Sequence, residues 1–162
     1  MKTNLKTVSD NLFRVLQESR VTFGTAESCT GGLIAKTVTD ISGISEFYLG
    51  SVVSYSNSVK ENVLGVRKET LKEFGAVSAD TAKQMAEGTL NVIGCDYAVS
   101  TTGIAGPGGG TAEKPVGLVY IASAGKGKET KVTKNLFSGT REEIRMQATE
   151  KALTMLIEQI EE

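Results

Sequence analysis

Up to residue 100 the hydrophobic pattern of this chain switches repeatedly between a helical and a strand period, and beyond that point the switching stops. Leu5, Val8, Leu12, Val15 and Leu16 recur at the three-and-four spacing of one face of an amphipathic helix. Val21 to Ala26 (VTFGTA) reads as a strand, and Leu33, Ile34 and Val38 restore the helical period after the pair Gly31 and Gly32. Phe47 to Tyr55 is rich in aromatic and β-branched residues and predicts a second strand, after which Ser56 or Ser58 caps a helix ending at Gly65. Leu71 to Gly75 closes a short helix, and Ser78 caps another that carries Ala82, Met85, Ala86 and Leu90. Tyr97 to Ser100 is the third strand. From there Thr101 to Pro115 is a glycine-rich loop with no helical pattern, followed by strands over Val116 to Ser123 and Lys131 to Phe137 around a turn at Gly125 to Gly127. Thr140 and Glu143 form a capping box for a last helix with Ile144, Ala148, Leu153, Leu156 and Ile160 on its apolar face.

This interruption fixes strand directions. Helices between the first three strands supply the crossovers that parallel pairing needs, whereas the 101–115 loop has none, so strand four runs antiparallel. Strand five returns beside it through the short turn and runs the same way as strands one to three. The expectation is an α/β fold on a mixed, mostly parallel five-stranded sheet. Ligands of open α/β sheets sit beyond the carboxyl ends of the parallel strands. The segments that share this rim are Glu27 to Gly32, Tyr55 to Lys60, Thr102 to Gly110 and Ser138 to Arg145.

Composition limits the chemistry available there. At 162 residues, with 40% hydrophobic and 23% charged, the chain reads as one domain over residues 1–162. The sequence has no histidine, which removes Ser-His-Asp and Cys-His nucleophile systems and the HExxH zinc motif. A net charge of −1 and 6% aromatic residues provide neither the basic footprint nor the stacking platforms of a nucleic-acid binder. Cys29 and Cys95 are the two cysteines and no Asn-x-Ser/Thr site occurs, which fits a reducing, cytoplasmic setting. The N-terminus lacks the uninterrupted apolar region of a signal peptide, and no apolar run approaches the ~20 residues of a membrane helix.

Ser28 is placed where a strand feeds a helix, next to free backbone N–H groups, as a nucleophile beside an oxyanion site would be. It equally suits a helix cap, with Gly31 and Gly32 only permitting a tight turn. Without histidine a serine needs another base, and the neighbouring rim segment offers Tyr55 and Lys60. Each also has a plainer reading, as a half-buried aromatic and a solvated lysine. Cys29 reads as packing rather than as a thiolate. The run Thr102, Gly103, Ile104, Ala105, Gly106, Pro107, Gly108 can wrap a phosphate or a flat ring with unhindered N–H groups, or serve only as a connection. Arg141, in the first turn of the last helix, can hold a phosphate or decorate the surface, and Arg145 follows one turn on.

The stretches TAESCTGGLIA (Thr25 to Ala35), YLGSVVSYSNSVKENVLGV (Tyr48 to Val66), GAVSADTAKQMAEG (Gly75 to Gly88), STTGIAGPGGGTAEKPVGLVYIA (Ser100 to Ala122) and FSGTREEIR (Phe137 to Arg145) together resemble the nicotinamide mononucleotide deamidase family, the C-terminal domain type of the competence/damage-inducible protein CinA, in its stand-alone form. The resemblance implies a three-layer α/β/α domain, often dimeric. It also implies hydrolysis of nicotinamide mononucleotide to nicotinate mononucleotide and ammonia in pyridine nucleotide salvage, with neither metal nor cofactor. It places catalysis on Ser28, Tyr55 and Lys60 and substrate binding on Thr102, Gly103 and Arg141. Joined to the rim reading, it expects N–H groups near Thr30, Gly31 and Gly32 to hold the oxyanion, and the loop through Gly106 and Gly108 to hold the ribose phosphate. The alternative from another class is a nucleotide-binding regulatory module without catalysis.

Overall fold

The computed structural model describes residues 4–162, so the first three residues of the N-terminal segment discussed above lie outside the described residues. The elements are α1 (Leu5–Ser19), β1 (Phe23–Glu27), α2 (Leu33–Thr39), a 3-10 turn (Ile44–Glu46), β2 (Tyr48–Val53), α3 (Asn57–Asn62), α4 (Lys68–Phe74), α5 (Ala79–Ile93), β3 (Tyr97–Gly103), β4 (Leu118–Gly125), β5 (Lys131–Leu136) and α6 (Arg141–Glu161). They form one five-stranded sheet in the order β2-β1-β3-β4-β5. β1 pairs parallel with β2 and β3, and β4 pairs antiparallel with β3 and β5, so the mixed sheet has the strand directions that the missing crossover implied. Among the described residues no helix is long and apolar enough to cross a membrane.

Alternation along the strands separates two faces of unequal bulk. Phe23 of β1 and Val119 and Ile121 of β4 join Leu12, Leu16, Ile34, Leu153 and Leu156 in the large core beneath α1, α2 and α6. The opposite face carries small residues: Ala122 and Ala124 meet Ala82 and Ala86 of α5, and Ala26 meets Leu64, Val66 and Met85. Fully burying each large aliphatic or aromatic side chain contributes about 1.5–3 kcal/mol, so most of the hydrophobic stabilisation lies on the first face. The second face gains close approach instead: at Gly88 of α5 an added Cβ would lie 1.9 Å from the Leu64 carbonyl oxygen.

Strand two is shorter than expected, at Tyr48–Val53, and strand four is shifted to Leu118–Gly125; three further differences have a local cause. β3 continues three residues past Ser100, because β-branched Thr101 and Thr102 find partners in Ile121 and Tyr120 of β4. Thr102 and Gly103 are therefore strand residues at the base of the loop. β1 begins at Phe23 rather than Val21, since Thr22 gives its N–H and hydroxyl to the Asp96 carboxylate at 2.8 and 3.0 Å. The helix expected to run to Gly65 ends at Asn62, and the chain turns at Gly65, whose φ of +73° lies in the left-handed region.

Candidate active site

The sheet ladder runs one residue beyond the ends of its strands and carries Ser28 with it. Ser28 N–H donates to the Thr101 carbonyl at 3.0 Å, and Ser54 N–H donates to the Glu27 carbonyl at 2.8 Å. After Ser28 the chain reverses, with Gly31 N–H on the Ser28 carbonyl at 3.0 Å and Leu33 N–H on the Thr30 carbonyl at 2.9 Å. Gly31 and Gly32 supply the positive φ values, +55° and +99°, that this reversal requires. Glu27, fully buried, aims its carboxylate at the start of α2: Oε1 accepts from Ile34 N–H at 2.9 Å and from the Thr30 hydroxyl at 2.7 Å, and Oε2 accepts from Ala35 N–H at 3.0 Å. The protein's own carboxylate thus occupies the first turn of α2 at Ile34 and Ala35, and of the N–H groups expected to hold an oxyanion it leaves those of Thr30 and Gly32 free. Thr30 spends its proton on Glu27, so the 2.8 Å contact between the Thr30 and Thr101 hydroxyls has Thr101 as donor.

Lys60 comes from α3, whose N-cap Ser56 accepts from Val59 N–H at 3.3 Å. The helix turns the lysine inward until it is 1% exposed. Its Nζ lies 2.9 Å from Ser28 Oγ, 2.6 Å from the Ser54 carbonyl and 3.4 Å from the Tyr55 carbonyl. Among the described residues no carboxylate pairs with this ammonium. Burial without a counter-charge penalises the cation and lowers the pKa of Lys60 to about 8. The same dryness pushes the Cys29 thiol up to about 12, so that cysteine stays protonated beside the serine.

Tyr55 behaves differently. Its residue is 65% exposed, and its hydroxyl accepts from Arg141 at 3.3 Å rather than meeting Ser28. A serine hydroxyl in reach of both amine and phenol is therefore realised for the amine alone. The backbone explains this: β2 alternation and the Ser54 N–H bond point residue 54 inward and residue 55 out over the rim. Arg141 also donates to the Gly106 carbonyl at 2.7 Å, joining Tyr55 to the glycine-rich loop. Between them lies a cleft of about 230 Å3 lined by Cys29, Tyr55, Gly103, Gly106, Gly108 and Arg141. A larger hollow, about 970 Å3, opens on the other side of Arg141, between α1, α2 and the start of α6.

Of the residues expected to bind substrate, Gly103, Gly106, Gly108 and Arg141 line this cleft. Thr102 is buried and donates to the Ala76 carbonyl at 2.7 Å, and Gly103 has no room for a side chain, since its Cβ would lie 2.5 Å from the Leu118 carbonyl oxygen. Both shape the base of the loop. Thr30 is turned inward onto Glu27 and Thr101, while Gly31 and Gly32 serve the reversal. Two residues were passed over in the sequence. Glu27 appears in the sequence only as the start of a rim segment, although a lone charge ending the run FGTAE is a signal of an internal partner. Arg145 has no role legible in the sequence, and it donates from Nε and NH2 to the carbonyls of Cys29 and Thr30 at 3.2 and 2.8 Å.

The molecule is thus an α/β/α domain that buries a lysine against a serine at the carboxyl rim of its parallel strands. The CinA C-terminal domain model matches residues 5–160, and the chain belongs to that family. It is 50% identical over 153 residues to a CinA-like protein of Leptospira borgpetersenii, covering 94% of this chain and 37% of that protein. It is 56% identical over 143 residues to a CinA-like protein of Endomicrobium trichonymphae, covering 88% of this chain and 33% of that one. The chain spans about a third of the length of these curated relatives. Among solved structures it is similar to the competence/damage inducible protein CihA of Agrobacterium tumefaciens, with TM-score 0.90 and 42% identity over 96% of both chains. A CinA superfamily protein of Klebsiella pneumoniae matches with TM-score 0.92 and 34% identity over 98% of both.

Proposed function

We propose that this domain is an amidase that hydrolyses nicotinamide mononucleotide to nicotinate mononucleotide and ammonia through Ser28. The observation that carries this reading is the 2.9 Å contact between Ser28 Oγ and a dehydrated, unpaired Lys60. Once Lys60 loses its proton, two N–H bonds remain for the Ser54 and Tyr55 carbonyls, and the lone pair faces Ser28. The hydroxyl then donates to Nζ, and the amine is a base already aligned on its nucleophile.

In this reading Ser28 Oγ bonds to the carboxamide carbon as its proton passes to Lys60. The C–N bond breaks as Lys60 returns that proton to the departing ammonia. Water then attacks the nicotinoyl ester with Lys60 again as base, which frees the acid and regenerates Ser28. The N–H groups of Cys29, Thr30 and Gly32 neither close the turn nor meet Glu27, and among the described residues they are the donors left for the oxyanion. Arg141 and the loop through Gly106 and Gly108 hold the phosphate, so binding energy far from the amide orients it. The proton path assigned by resemblance to Tyr55 and Lys60 together falls to Lys60, and Tyr55 stands with Arg141 at the mouth.

The test is ammonia release from nicotinamide mononucleotide in the presence of a chelator, with free nicotinamide as comparison. Turnover of the nucleotide and little of the free base is expected. Tight binding of the nucleotide with no ammonia would overturn the amidase reading in favour of a nucleotide-binding module.

A further inference from the structure

The arginine that resemblance assigns to the substrate is Arg141, but Arg145, one turn along α6, is the cation that grips the nucleophile's own segment. Its NH2 donates to the Thr30 carbonyl at 2.8 Å, and the N–H of the same peptide unit, on Gly31, donates to the Ser28 carbonyl at 3.0 Å. A trans peptide directs its C=O and N–H oppositely, so one rigid plane transmits the guanidinium's hold to Ser28. Bonds linked in this way polarise one another, and the first is charge-assisted. Nε holds the intervening Cys29 carbonyl at 3.2 Å. On its other side Ser28 is fixed by its N–H bond to the Thr101 carbonyl, so its backbone is held from both sides while Oγ lies 2.9 Å from Lys60 Nζ. Space is also matched here: a Cβ on Gly31 would lie 3.1 Å from Arg145 NH2.

We propose that Arg145 is a positioning residue for chemistry at Ser28, acting through the carbonyls of Cys29 and Thr30 and touching no substrate. The proposal rests on the reading of Ser28 as nucleophile but not on the identity of the amide. Two assays on the full chain separate these. One is steady-state ammonia release from nicotinamide mononucleotide. The other is the rate at which a fluorophosphonate labels Ser28, in which an Oγ–P bond forms, the P–F bond breaks and the hydroxyl proton passes to Lys60.

Arg145→Met is expected to lower kcat and the labelling rate together by about 100-fold, the effect of an ångström-scale misplacement of a nucleophile, with KM within about threefold of wild type. The pH midpoint of labelling stays in place, because Arg145 acts on geometry and not on the protonation of Lys60. Arg145→Lys, which satisfies one carbonyl at a time, is expected to lose about tenfold. Should Arg145→Met fail to fold, Arg145→Lys carries the test. Unchanged labelling with a raised KM would make Arg145 a substrate ligand and overturn the proposal. So would a shifted pH midpoint. Labelling that follows this pattern in a protein releasing no ammonia would leave Arg145 in its role and refute the substrate alone.

Discussion

Ser28 with Lys60, and Tyr55 with Arg141, are neighbouring polar pairs on one rim with opposite relations to water. The first pair is sealed: Lys60 is 1% exposed and its partners are a hydroxyl and two carbonyls. The second pair stands open, with Tyr55 65% exposed and Arg141 reaching across to Gly106. Dehydration moves a protonation equilibrium, whereas a solvated cation keeps its charge and recognises anions. In the proposed reading the contrast becomes a division of labour in which the dry pair carries the bond-making step and the wet pair selects what enters.

Substitutions that cross this boundary test it. Ser28→Ala should lower kcat for ammonia release by about 10³ or more with little change in KM, because the lost group acts in the covalent step. Near-normal turnover in that variant would end the division at once. Next in size is the pH response of the wild-type protein. If Lys60 is the neutral base proposed above, its pKa near 8 means that kcat should climb with pH and level off above that value; at pH 6 it should be about 100-fold below the plateau. A flat profile from pH 6 to 9 would assign the base elsewhere. Arg141→Ala should raise KM about tenfold with kcat nearly kept, and Tyr55→Phe should do the same more weakly. A kcat loss for Tyr55→Phe matching that of Ser28→Ala would move the phenol into the proton path.

The smallest effect concerns stability. The folded protein holds Lys60 below its ordinary value of 10.5, so between about pH 8 and 10.5 the unfolded chain binds the extra proton. The cost of burying the ammonium is complete below that window and is relieved as pH rises through it. Denaturant titrations of wild type and Lys60→Met should therefore show wild type gaining relative to the variant by about 1–2 kcal/mol from pH 7.5 to 10. No gain across that range would mean that Lys60 is hydrated and that the two pairs are not so different.

Much of this arrangement was legible in the order of residues. The helix-free stretch before strand four fixed the mixed sheet, and the rim it defined brought Ser28 and Lys60 together as expected. What escaped depended on side-chain direction. Tyr55 and Lys60 lie on one short rim segment, yet alternation turns one outward while a capped turn of helix turns the other in. The role of Glu27 depends on where α2 begins relative to β1, and Arg145 meets the Ser28 turn from 115 residues away, a proximity no local pattern encodes. Thr102 and Gly103 look like loop residues because glycines follow them, but the pairing of β3 with β4 makes them strand.

The bond from Ser28 N–H to Thr101 has a consequence for durability. Because that amide is a rung between β1 and β3, its hydrogen should exchange with deuterated solvent only when the sheet itself opens, as slowly as that of Val99 in the strand centre. The proposed nucleophile thus shares the lifetime of the fold, and on that reading warming should abolish ammonia release and melt the sheet in a single event.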